Sequence, residues 1–450
     1  MPDTTRRRLR DMKDAQAHVA RVTAAAQKGA CMTTQRVVVV GQGYVGLPLA
    51  MSAVDAGFDV VGYDIDEQRV SALARGQSYV EDVSTEVLSA AVSTGRYQPT
   101  SDDSACAGFD VAVITVPTPL HEGLPDLTYI EAAGRMLGRC LEPGATVVLE
   151  STTYPGTTDE LLRPLLEAES GLTCGAQFNL GYSPERIDPG NAHWSFRNTP
   201  KVVSGVDAGS LDAVDAFYSA IVDHTVRVGS TGVAELTKLL ENTFRHVNIA
   251  LVNELAVFAH ELGIDIHEAI DAASSKPFGF MRFTPGPGVG GHCLPIDPSY
   301  LSWRVKRQLG RTFRFVELAN DVNDHMPDYV VTRLTAGLNR QRKALNGSRI
   351  LILGLTYKRN TSDARESPAM VVARQLVAAG ADVVAVDGHL SDVSPSPVPL
   401  VELTGAELEM ADAVVLLTDH DDVDYDKVAS CSTYVLDTRH RMTGPAVEAL

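Results

Sequence analysis

Short runs of apolar, mostly β-branched residues recur in the first third of the chain, and each ends at a small, acidic or proline residue. They cover residues 36–40, 59–64, 111–116 and 146–150. Runs of this length and composition are typical of buried strands. A helical pattern follows the first run from Leu47 to Ala56, and Gly57 is placed to end it. Strands that alternate with helices predict a parallel, doubly wound sheet.

The pattern changes after about residue 225 and returns after about residue 340. Residues 234–262 contain neither Gly nor Pro and predict one long helix, whereas apolar runs at 349–354, 382–387 and 411–417 repeat the first arrangement. We therefore predict an α/β fold with two doubly wound, Rossmann-like parallel-sheet domains joined by a central helical region. The expected boundaries are a flexible extension at 1–34, a first sheet domain at 35–225, the helical region at 226–340 and a second sheet domain at 341–450.

Composition narrows the class of protein. The 450 residues include 39 Lys plus Arg against 57 Asp plus Glu, a formal charge of −18. This acidity argues against a nucleic-acid or membrane-surface partner, because phosphate binding needs clustered cations. The six cysteines are far apart and no apolar run reaches membrane-helix length, so we expect a reduced, cytoplasmic protein. The basic segment before Met32 is either a flexible tail or the result of a start site placed too early.

A glycine motif follows the first strand. Residues 41–46 match GxGxxG, open a helix, and are followed by Asp64 at the end of the second strand. Glycines in this context let a pyrophosphate approach a helix N-terminus, and the acid accepts from ribose hydroxyls. A carboxylate there repels a 2′-phosphate, so the motif predicts NAD. The cofactor-binding residues are expected to be Gly41, Gly43, Tyr44, Val45, Gly46 and Asp64.

A second dense motif runs from Pro285 to Asp297 and is rich in glycine. It contains Gly290 and Gly291 and carries Cys293 near its end. A free cysteine is usually buried and inert, but a glycine-rich loop is a poor way to build a core, so Cys293 is a candidate nucleophile. Because glycine lets backbone N–H groups approach a ligand closely, the loop is expected to contact substrate.

Three further polar residues are weaker candidates when taken alone. Lys238 and Asn242 lie four residues apart and share one face of the long helix. Their spacing fits a solvated helix surface equally well. Glu185 follows a short apolar segment at 178–180, where open α/β sheets place ligands, and is a plausible acid or base.

Taken together, these residues resemble the UDP-glucose/GDP-mannose dehydrogenase family from residue 35 to about 440. The resemblance is carried by seven segments: GQGYVGLPLA, VPTPL, ESTTYPGTT, YSPERIDPGN, KLLENTFRHVNIALVNELA, PGPGVGGHCLPID and GLTYKRNTSDARESP. It implies an NAD-dependent oxidation of the C6 hydroxymethyl group of a nucleotide-diphosphate hexose to a uronic acid. The reaction would remove four electrons through a Cys293 thiohemiacetal and thioester and would use two NAD.

The resemblance also implies roles for individual residues. Lys238, Asn242 and Asp297 would be electrostatic and proton-handling neighbours of Cys293, and Glu185 would be the base of the hydrolytic step. Thr153 would hold the catalytic water and Thr118 would lie near the cofactor. Lys358 and Arg365 would close the site from the second sheet domain, Lys358 on the substrate and Arg365 on the cofactor. A homodimer through the central helix and no metal are expected.

One position departs from the family pattern. Many UDP-glucose enzymes have a second glutamate four residues after the equivalent of Glu185, and here that residue is Pro189. The wording of the motifs is nearest to the UDP-N-acetylhexosamine branch. UDP-glucose and dTDP-glucose stay open as substrates.

Two other functions are compatible with part of the sequence. A one-step β-hydroxyacid dehydrogenase of the 6-phosphogluconate dehydrogenase type also joins a nucleotide domain to a helix with Lys and Asn, but it needs neither Cys293 nor a second sheet domain. It would form one NADH per substrate instead of two. A non-catalytic NAD(H) sensor would need a DNA-binding element, and no basic helix-turn-helix pattern is present.

Overall fold

The computed structural model describes residues 35–80, 82–121, 124–187, 191, 193–291, 294, 296–390 and 396–450. Three earlier expectations therefore lie outside the described residues. They are the flexibility of residues 1–34, the exposure of Cys293 and the departure at Pro189.

Ten strands precede the central helices. They are β1 (Arg36–Val40), β2 (Asp59–Tyr63), β3 (Tyr97–Thr100), β4 (Val111–Ile114), β5 (Leu120–His121), β6 (Leu124–Pro125), β7 (Thr146–Leu149), β8 (Asn179–Tyr182), β9 (Lys201–Gly205) and β10 (Thr225–Arg227). All but β5 and β6 form one sheet in the order β10-β9-β8-β7-β4-β1-β2-β3. The strands from β3 to β8 in this order are parallel. The parallel part confirms the predicted fold class.

The last two strands of the sheet differ from the prediction in direction. β9 pairs antiparallel with β8, and β10 is parallel to β9. The printed register pairs Gly181 with Gly205 and Tyr182 with Ser204. The beginning of β9 therefore lies at the same edge of the sheet as the end of β8.

Helices cover both faces of this sheet. They are α1 (Gly46–Asp55), α2 (Glu67–Ala74), α3 (Thr85–Ser93), α4 (Thr128–Cys140), α5 (Arg163–Ser170) and α6 (Ala208–Ile221), with a 3₁₀ turn at Asp103–Cys106 and a π-helical turn at Thr158–Leu162. Two apolar clusters, one on each face, bury the alternate sides of β1: Val37 and Val39 on one face, Val38 and Val40 on the other. Strands buried on both faces explain the near-continuous apolar runs.

The described residues of the central region form four helices. They are α7 (Thr231–Glu261), α8 (Ile266–Ser274), α9 (Asp297–Leu309) and α10 (Arg314–Arg340). The side chain of Ser230 accepts from the backbone N–H of Val233 and caps α7, which is the long helix predicted from the sequence. At 31 residues, α7 is about 46 Å long. It runs past both the sheet and α10.

The C-terminal part forms a second sheet. Its strands are β11 (Arg349–Leu353), β12 (Asp382–Val386), β13 (Ala413–Leu416), β14 (Val435–Asp437) and β15 (Val447–Ala449), in the order β12-β11-β13-β14-β15. All four pairings are parallel. The remaining helices are α11 (Pro368–Ala378), α12 (Gly405–Met410) and α13 (Tyr425–Cys431). The predicted repeat of the first architecture is confirmed.

Each of the two sheets has a similar hydrogen bond at the carboxyl end of its first strand, which we call the clasp. In it, an aspartate carboxylate accepts from a backbone N–H group of the turn that follows the strand. In the first sheet, the Asp64 carboxylate that follows β2 accepts from the backbone N–H of Gln42 at 2.8 Å. In the second, the Asp387 carboxylate that follows β12 accepts from the backbone N–H of Leu355 at 2.7 Å. Each clasp follows a glycine with positive φ, Gly41 or Gly354. In each sheet the clasp therefore holds the turn that follows the first strand, β1 or β11, in place.

No helix in the described part of the chain is long and apolar enough to span a membrane.

Candidate active site

The turn after β1 lies where the chain order of the first sheet reverses, between β1 and β4. Gly41 has φ +93°, and a Cβ there would lie 2.9 Å from the carbonyl oxygen of Thr115. A Cβ on Gly46 would lie 1.9 Å from the carbonyl oxygen of Gly41. Both glycines are therefore required by the turn itself. In open α/β sheets this crevice is where ligands bind.

Gly43 is different, because a Cβ there would meet no protein atom within 4 Å. The protein's own packing therefore does not require glycine at this position. A ligand that approaches the backbone closely would require it, because a side chain would occupy the ligand's space. Asp64 is buried next to it and holds the turn. The residues present therefore fit a dinucleotide, with Gly43 open to the pyrophosphate and Asp64 placed for the ribose.

The second sheet domain reaches the cofactor motif. The Arg365 guanidinium lies 5.9 Å from the ring centroid of Tyr44 and forms an ion pair with Asp363 at 2.7 Å. The backbone carbonyl of Arg365 accepts from Gly291 N–H at 3.3 Å. Arg365 therefore connects the glycine turn to the glycine-rich loop, in keeping with its predicted place beside the cofactor.

Four of the predicted site residues come together beside this crevice. Asn242 of α7 donates to the Asp297 carboxylate at 2.5 Å, and Lys238, one turn earlier, interacts electrostatically with both Asp297 and Glu185. Tyr300, one turn after Asp297 in α9, donates to the Thr118 carbonyl at 2.8 Å. Lys238 and Asn242 therefore face other polar residues of the protein and do not form a solvated helix surface.

Asp297 is buried, and this burial raises the pKa of its carboxyl to about 6, although Lys238 and Asn242 act in the opposite direction. A carboxyl group whose pKa lies close to neutral pH is suited to exchanging protons during a reaction.

Glu185 lies in a buried network that the sequence did not indicate. Its carboxylate accepts from the backbone N–H groups of Arg186 and Ile187 and contacts Lys201 Nζ at 3.2 Å. Lys201 also pairs with Glu150, and all three side chains are buried. Burial opposes ionisation of Glu185, but Lys201 and these hydrogen bonds lower its pKa below the usual range.

Thr153 is fully buried next to α7. Its hydroxyl is 2.6 Å from that of Thr157, and because Thr157 donates to the Tyr154 carbonyl, Thr153 is the donor between the two. The following turn is held by Glu235 of α7, which accepts from the backbone N–H groups of Gly156 and Thr158. The segment is therefore anchored to the helix that carries Lys238. The water-binding role of Thr153 stays a prediction.

The glycine-rich loop packs tightly against the second sheet domain. A Cβ on Gly291, which has φ +83°, would lie 2.7 Å from the Tyr357 ring, and a Cβ on Gly290 would lie 2.8 Å from Tyr357 and Pro368. The glycines therefore also allow the loop to pack closely against the second sheet domain. The sequence did not suggest this role. Lys358 follows Tyr357 in the same segment.

The base of this loop is fixed by a row of buried amides. Gly286 N–H donates to Asn253 Oδ1 at 2.9 Å, and Asn253 Nδ2 donates to Asn323 Oδ1 at 2.9 Å. His246 and Asn320 continue the row. Arg439 lies against the same loop, because a Cβ on Gly286 would lie 2.7 Å from its guanidinium. Asn253 and Arg439 are functional candidates that the sequence analysis missed, although Asn253 lies inside one of its motifs.

One buried hydroxyl at the centre of the site has no hydrogen-bond partner among the described residues. It belongs to Tyr182, the last residue of β8, which is fully buried. Four carboxylates act on it electrostatically: Glu235, Asp297, Glu150 and Glu185. Because buried polar groups in folded proteins nearly always have a partner, this hydroxyl is a further candidate for contact with a bound molecule.

The described residues contain one cluster of metal-binding side-chain types, formed by His389, His420 and Asp422. His420 Nδ1 accepts from the backbone N–H of Asn360 at 3.0 Å, so the neutral ring carries its proton on Nε2, which faces Asp387 at 3.3 Å. A histidine that binds metal keeps one nitrogen as a donor and the other free for the ion. Both nitrogens of His420 are engaged in hydrogen bonds within the second sheet domain.

Comparison with known proteins agrees with this geometry. Family models of the UDP-glucose/GDP-mannose dehydrogenase family match as an NAD binding domain at residues 35–222, a central domain at 232–325 and a UDP binding domain at 351–443.

Similar proteins have closely related names. The UDP-N-acetyl-D-mannosamine dehydrogenase of Pyrococcus horikoshii is 35% identical over 386 residues, which cover 86% of this chain and 89% of that protein. The UDP-N-acetyl-D-glucosamine 6-dehydrogenase of Pseudomonas aeruginosa is 38% identical over 347 residues, or 77% and 81% of the two chains. A UDP-glucose dehydrogenase structure from Pyrobaculum islandicum superposes with a TM-score of 0.83 at 30% identity, over 94% of this chain and 98% of that one. The chain therefore belongs to the UDP-glucose/GDP-mannose dehydrogenase family and is an NAD-dependent oxidoreductase that acts on nucleotide sugars.

Proposed function

We propose that the protein oxidises the C6 hydroxymethyl group of a nucleotide-diphosphate hexose to a carboxylate, with Cys293 as the covalent nucleophile. The observation that carries the proposal is the cluster of Lys238, Asn242, Asp297 and Glu185 beside the cofactor crevice. Two NAD, bound in turn, would each accept one hydride. Covalent capture retains the aldehyde and divides a difficult oxidation into easier steps.

The residues around the reacting carbon have two roles: Lys238 and Asn242 stabilise negative charge, and Asp297 transfers a proton. The Lys238 ammonium and the Asn242 amide stabilise the alkoxide that develops at the sugar oxygen. Loss of one such donor costs about 3–4 kcal/mol of transition-state stabilisation. Asp297 receives the hydroxyl proton, because its raised pKa lets it accept and release a proton near neutral pH.

Hydrolysis of the Cys293 thioester requires an activated water. Glu185 fits this step because its carboxylate stays ionised next to Lys201 and is fixed by two backbone N–H groups. An ionised, immobile carboxylate orients the water and accepts its proton as the thiolate departs. Thr153 is the proposed further contact of that water.

A nucleotide diphosphate has to be bound by groups from the second sheet domain. We assign this role to Arg439, which lies against the glycine-rich loop, and to Lys358, which follows Tyr357, together with Gly290 and Gly291 of the loop itself. The names of the relatives favour a UDP-N-acetylhexosamine over UDP-glucose or dTDP-glucose. The product is the corresponding uronic acid, a building block for polysaccharides or glycosides made in the cytoplasm.

We also propose a homodimer through α7. One face of this helix carries a row of exposed apolar side chains: Val233, Leu236, Leu240, Phe244, Leu251, Leu255 and Phe258. The row is nearly palindromic, because Leu240 and Leu255 lie equally far from a centre between residues 247 and 248, and so do Phe244 and Leu251. A two-fold axis at that centre would place each side chain against its counterpart on a second copy.

The test of the covalent mechanism combines two variants. Cys293→Ala should abolish uronate formation but leave NAD binding intact. Glu185→Gln should accumulate a thioester, visible by mass spectrometry as a sugar adduct on the peptide that contains Cys293. The substrate panel comprises UDP-N-acetylglucosamine, UDP-N-acetylmannosamine, UDP-glucose and dTDP-glucose, with NADH counted per sugar.

Two NADH per sugar supports the proposal, and one NADH supports the β-hydroxyacid dehydrogenase alternative. Undiminished uronate formation by Cys293→Ala would rule out the covalent mechanism. Cys431, which is exposed and far along the chain, provides the control variant Cys431→Ala, for which we expect unchanged turnover.

A further inference from the structure

The reversal of strand direction at β9 brings a lysine to the active-site edge of the first sheet. Extending the register of β8 and β9 by three residues places Lys201 opposite Glu185. A parallel β9 would begin at the opposite edge of the sheet, far from Glu185. The ammonium group of Lys201 instead lies 3.2 Å from Glu185 Oε2.

Lys201 is shared between two carboxylates. Its ammonium group also donates to Glu150 Oε1, and the other oxygen of Glu150 accepts from the Tyr218 hydroxyl. The exposed fractions are 3% for Lys201, 1% for Glu150 and 8% for Glu185. An isolated charge at such depth is strongly disfavoured, so each group is kept in place by the others.

We propose that Lys201 is a positioning residue for the reaction: its buried ammonium group, shared by Glu150 and Glu185, holds the Glu185 carboxylate charged and in a fixed orientation. The inference rests on the proposed function only in the role of Glu185 as the base of the reaction. The effect of Lys201 on the Glu185 carboxylate does not depend on it.

The two carboxylates are not equivalent, and the difference has a structural cause. Burial raises the pKa of Glu150 to about 8, although Lys201 opposes this. Glu185 has Lys201 together with two backbone N–H donors and the field of Lys238, and its pKa is lowered. The environment of the pair therefore favours the proton on Glu150 and the negative charge on Glu185.

All the charged and titratable groups that act on this pair belong to the same site. They are Lys201 on β9, Lys238 on α7, Tyr218 on α6 and Tyr182 on β8, together with Arg186, the next residue after Glu185, which pairs with Glu241 at 2.6 Å. Of the cations, Lys201 alone contacts the carboxylate of Glu185 among the described residues. Removing it should therefore have a larger effect on Glu185 than any other substitution in the network.

The direct test measures the carboxyl of Glu185 without any substrate. Infrared difference spectra over a pH titration give the C=O band of the protonated acid, assigned by its loss in Glu185→Gln. In Lys201→Met this band should appear about 1–3 pH units higher than in the wild type, because an opposite charge at this distance lowers a carboxyl pKa by about that much. Lys201→Arg keeps the charge and should titrate like the wild type.

Glu150→Gln is the matched control, because it imitates the protonated acid and should leave the Glu185 titration near that of the wild type. The inference is overturned if Lys201→Met titrates like the wild type, or if Glu150→Gln shifts the band as far as Lys201→Met. Should Lys201→Met not fold, Lys201→Met with Glu150→Leu replaces the ion pair by an apolar pair, which buried sites tolerate better. The same upward shift is expected there.

The hydrolytic step separates this inference from the proposed function. The acid limb of thioester hydrolysis, measured as loss of the sugar adduct from Cys293 and not as overall turnover, should move to higher pH in Lys201→Met together with the infrared band. If the band moves and the acid limb does not, Lys201 positions Glu185 as inferred, but Glu185 is not the base of the reaction.

Discussion

Asp297 illustrates how burial prepares a single residue for chemistry. Its carboxyl is enclosed by α7 and α9 and receives a hydrogen bond from Asn242 and the field of Lys238. These interactions only partly offset the burial, so its pKa is about 6 instead of near 4. The group is ionised at neutral pH and protonated in mild acid.

This leads to a prediction for Asp297→Asn. Turnover at pH 7.5 should fall about 10²–10⁴-fold, the usual contribution of a proton-transfer group, and the acid limb near pH 6 should disappear from the pH profile of kcat. A raised carboxyl pKa adds stability below the unfolded value, and this stability is lost as pH rises through about 6. Because Asn imitates the protonated acid, the melting temperatures of the variant and the wild type should be similar below about pH 4, and the variant should have the higher melting temperature at pH 7.5. An acid limb that persists in the variant would exclude Asp297 as its origin.

The residue scale also shows what the sequence could supply. Asp297, Lys238, Asn242 and Glu185 were predicted because they lie in recognisable motifs or at strand ends. Lys201 and Glu150 were missed as functional residues because their meaning depends on which strand lies next to which. A single lysine after a loop has no local pattern, and the sequence does not indicate that β9 runs antiparallel.

At the scale of elements, the glycine-rich loop depends on the absence of side chains at its contact with the second sheet domain. Gly291→Ala would place a Cβ 2.7 Å from the Tyr357 ring in a backbone conformation of φ +83°. The loop would have to shift, and Cys293 is two residues away. We expect at least a tenfold loss of kcat and a lower melting temperature, measured by NADH formation and thermal denaturation.

Gly310→Ala provides the control for this prediction. Gly310 also has positive φ, +62°, but its added Cβ would meet no atom within 4 Å. It should destabilise the protein by about 1–2 kcal/mol through backbone strain alone and leave kcat unchanged. Equal effects of the two substitutions on kcat would show that the contact with Tyr357 is unimportant.

Element boundaries were the most accurate part of the sequence-based prediction, since β1, β2, β11 and β12 follow dense β-branched runs. Glycine was harder to interpret. The sequence suggested that the loop glycines admit a ligand, whereas Gly288, Gly290 and Gly291 are each in close contact with another segment of the protein. The sequence shows where the glycines are, but it does not show which neighbouring group requires the absence of a side chain.

At the scale of the whole molecule, the apolar row on α7 predicts assembly. Leu251→Glu combined with Leu255→Glu introduces charges near the proposed two-fold axis, where they would be buried against the apolar side chains of Phe244 and Leu240 of the second copy. Sedimentation velocity should show a change from twice the chain mass to once the chain mass. Val87→Glu changes a comparably exposed apolar residue on α3 and should leave the mass unchanged. A wild-type protein that sediments as a monomer would overturn the dimer.

The clasp shared by the two sheets has a consequence for stoichiometry. In the first sheet, the residue two positions after Gly41 is Gly43, with open space beyond it, whereas the equivalent position after Gly354 is Thr356, whose hydroxyl hydrogen-bonds inside the domain. Of the two turns, only the first therefore has a glycine with open space at this position, as the close approach of a coenzyme pyrophosphate requires. Under the proposed four-electron mechanism, a chain with one such coenzyme site would carry out the two oxidations one after the other, and NADH would be exchanged for NAD while the half-oxidised sugar stays attached to Cys293.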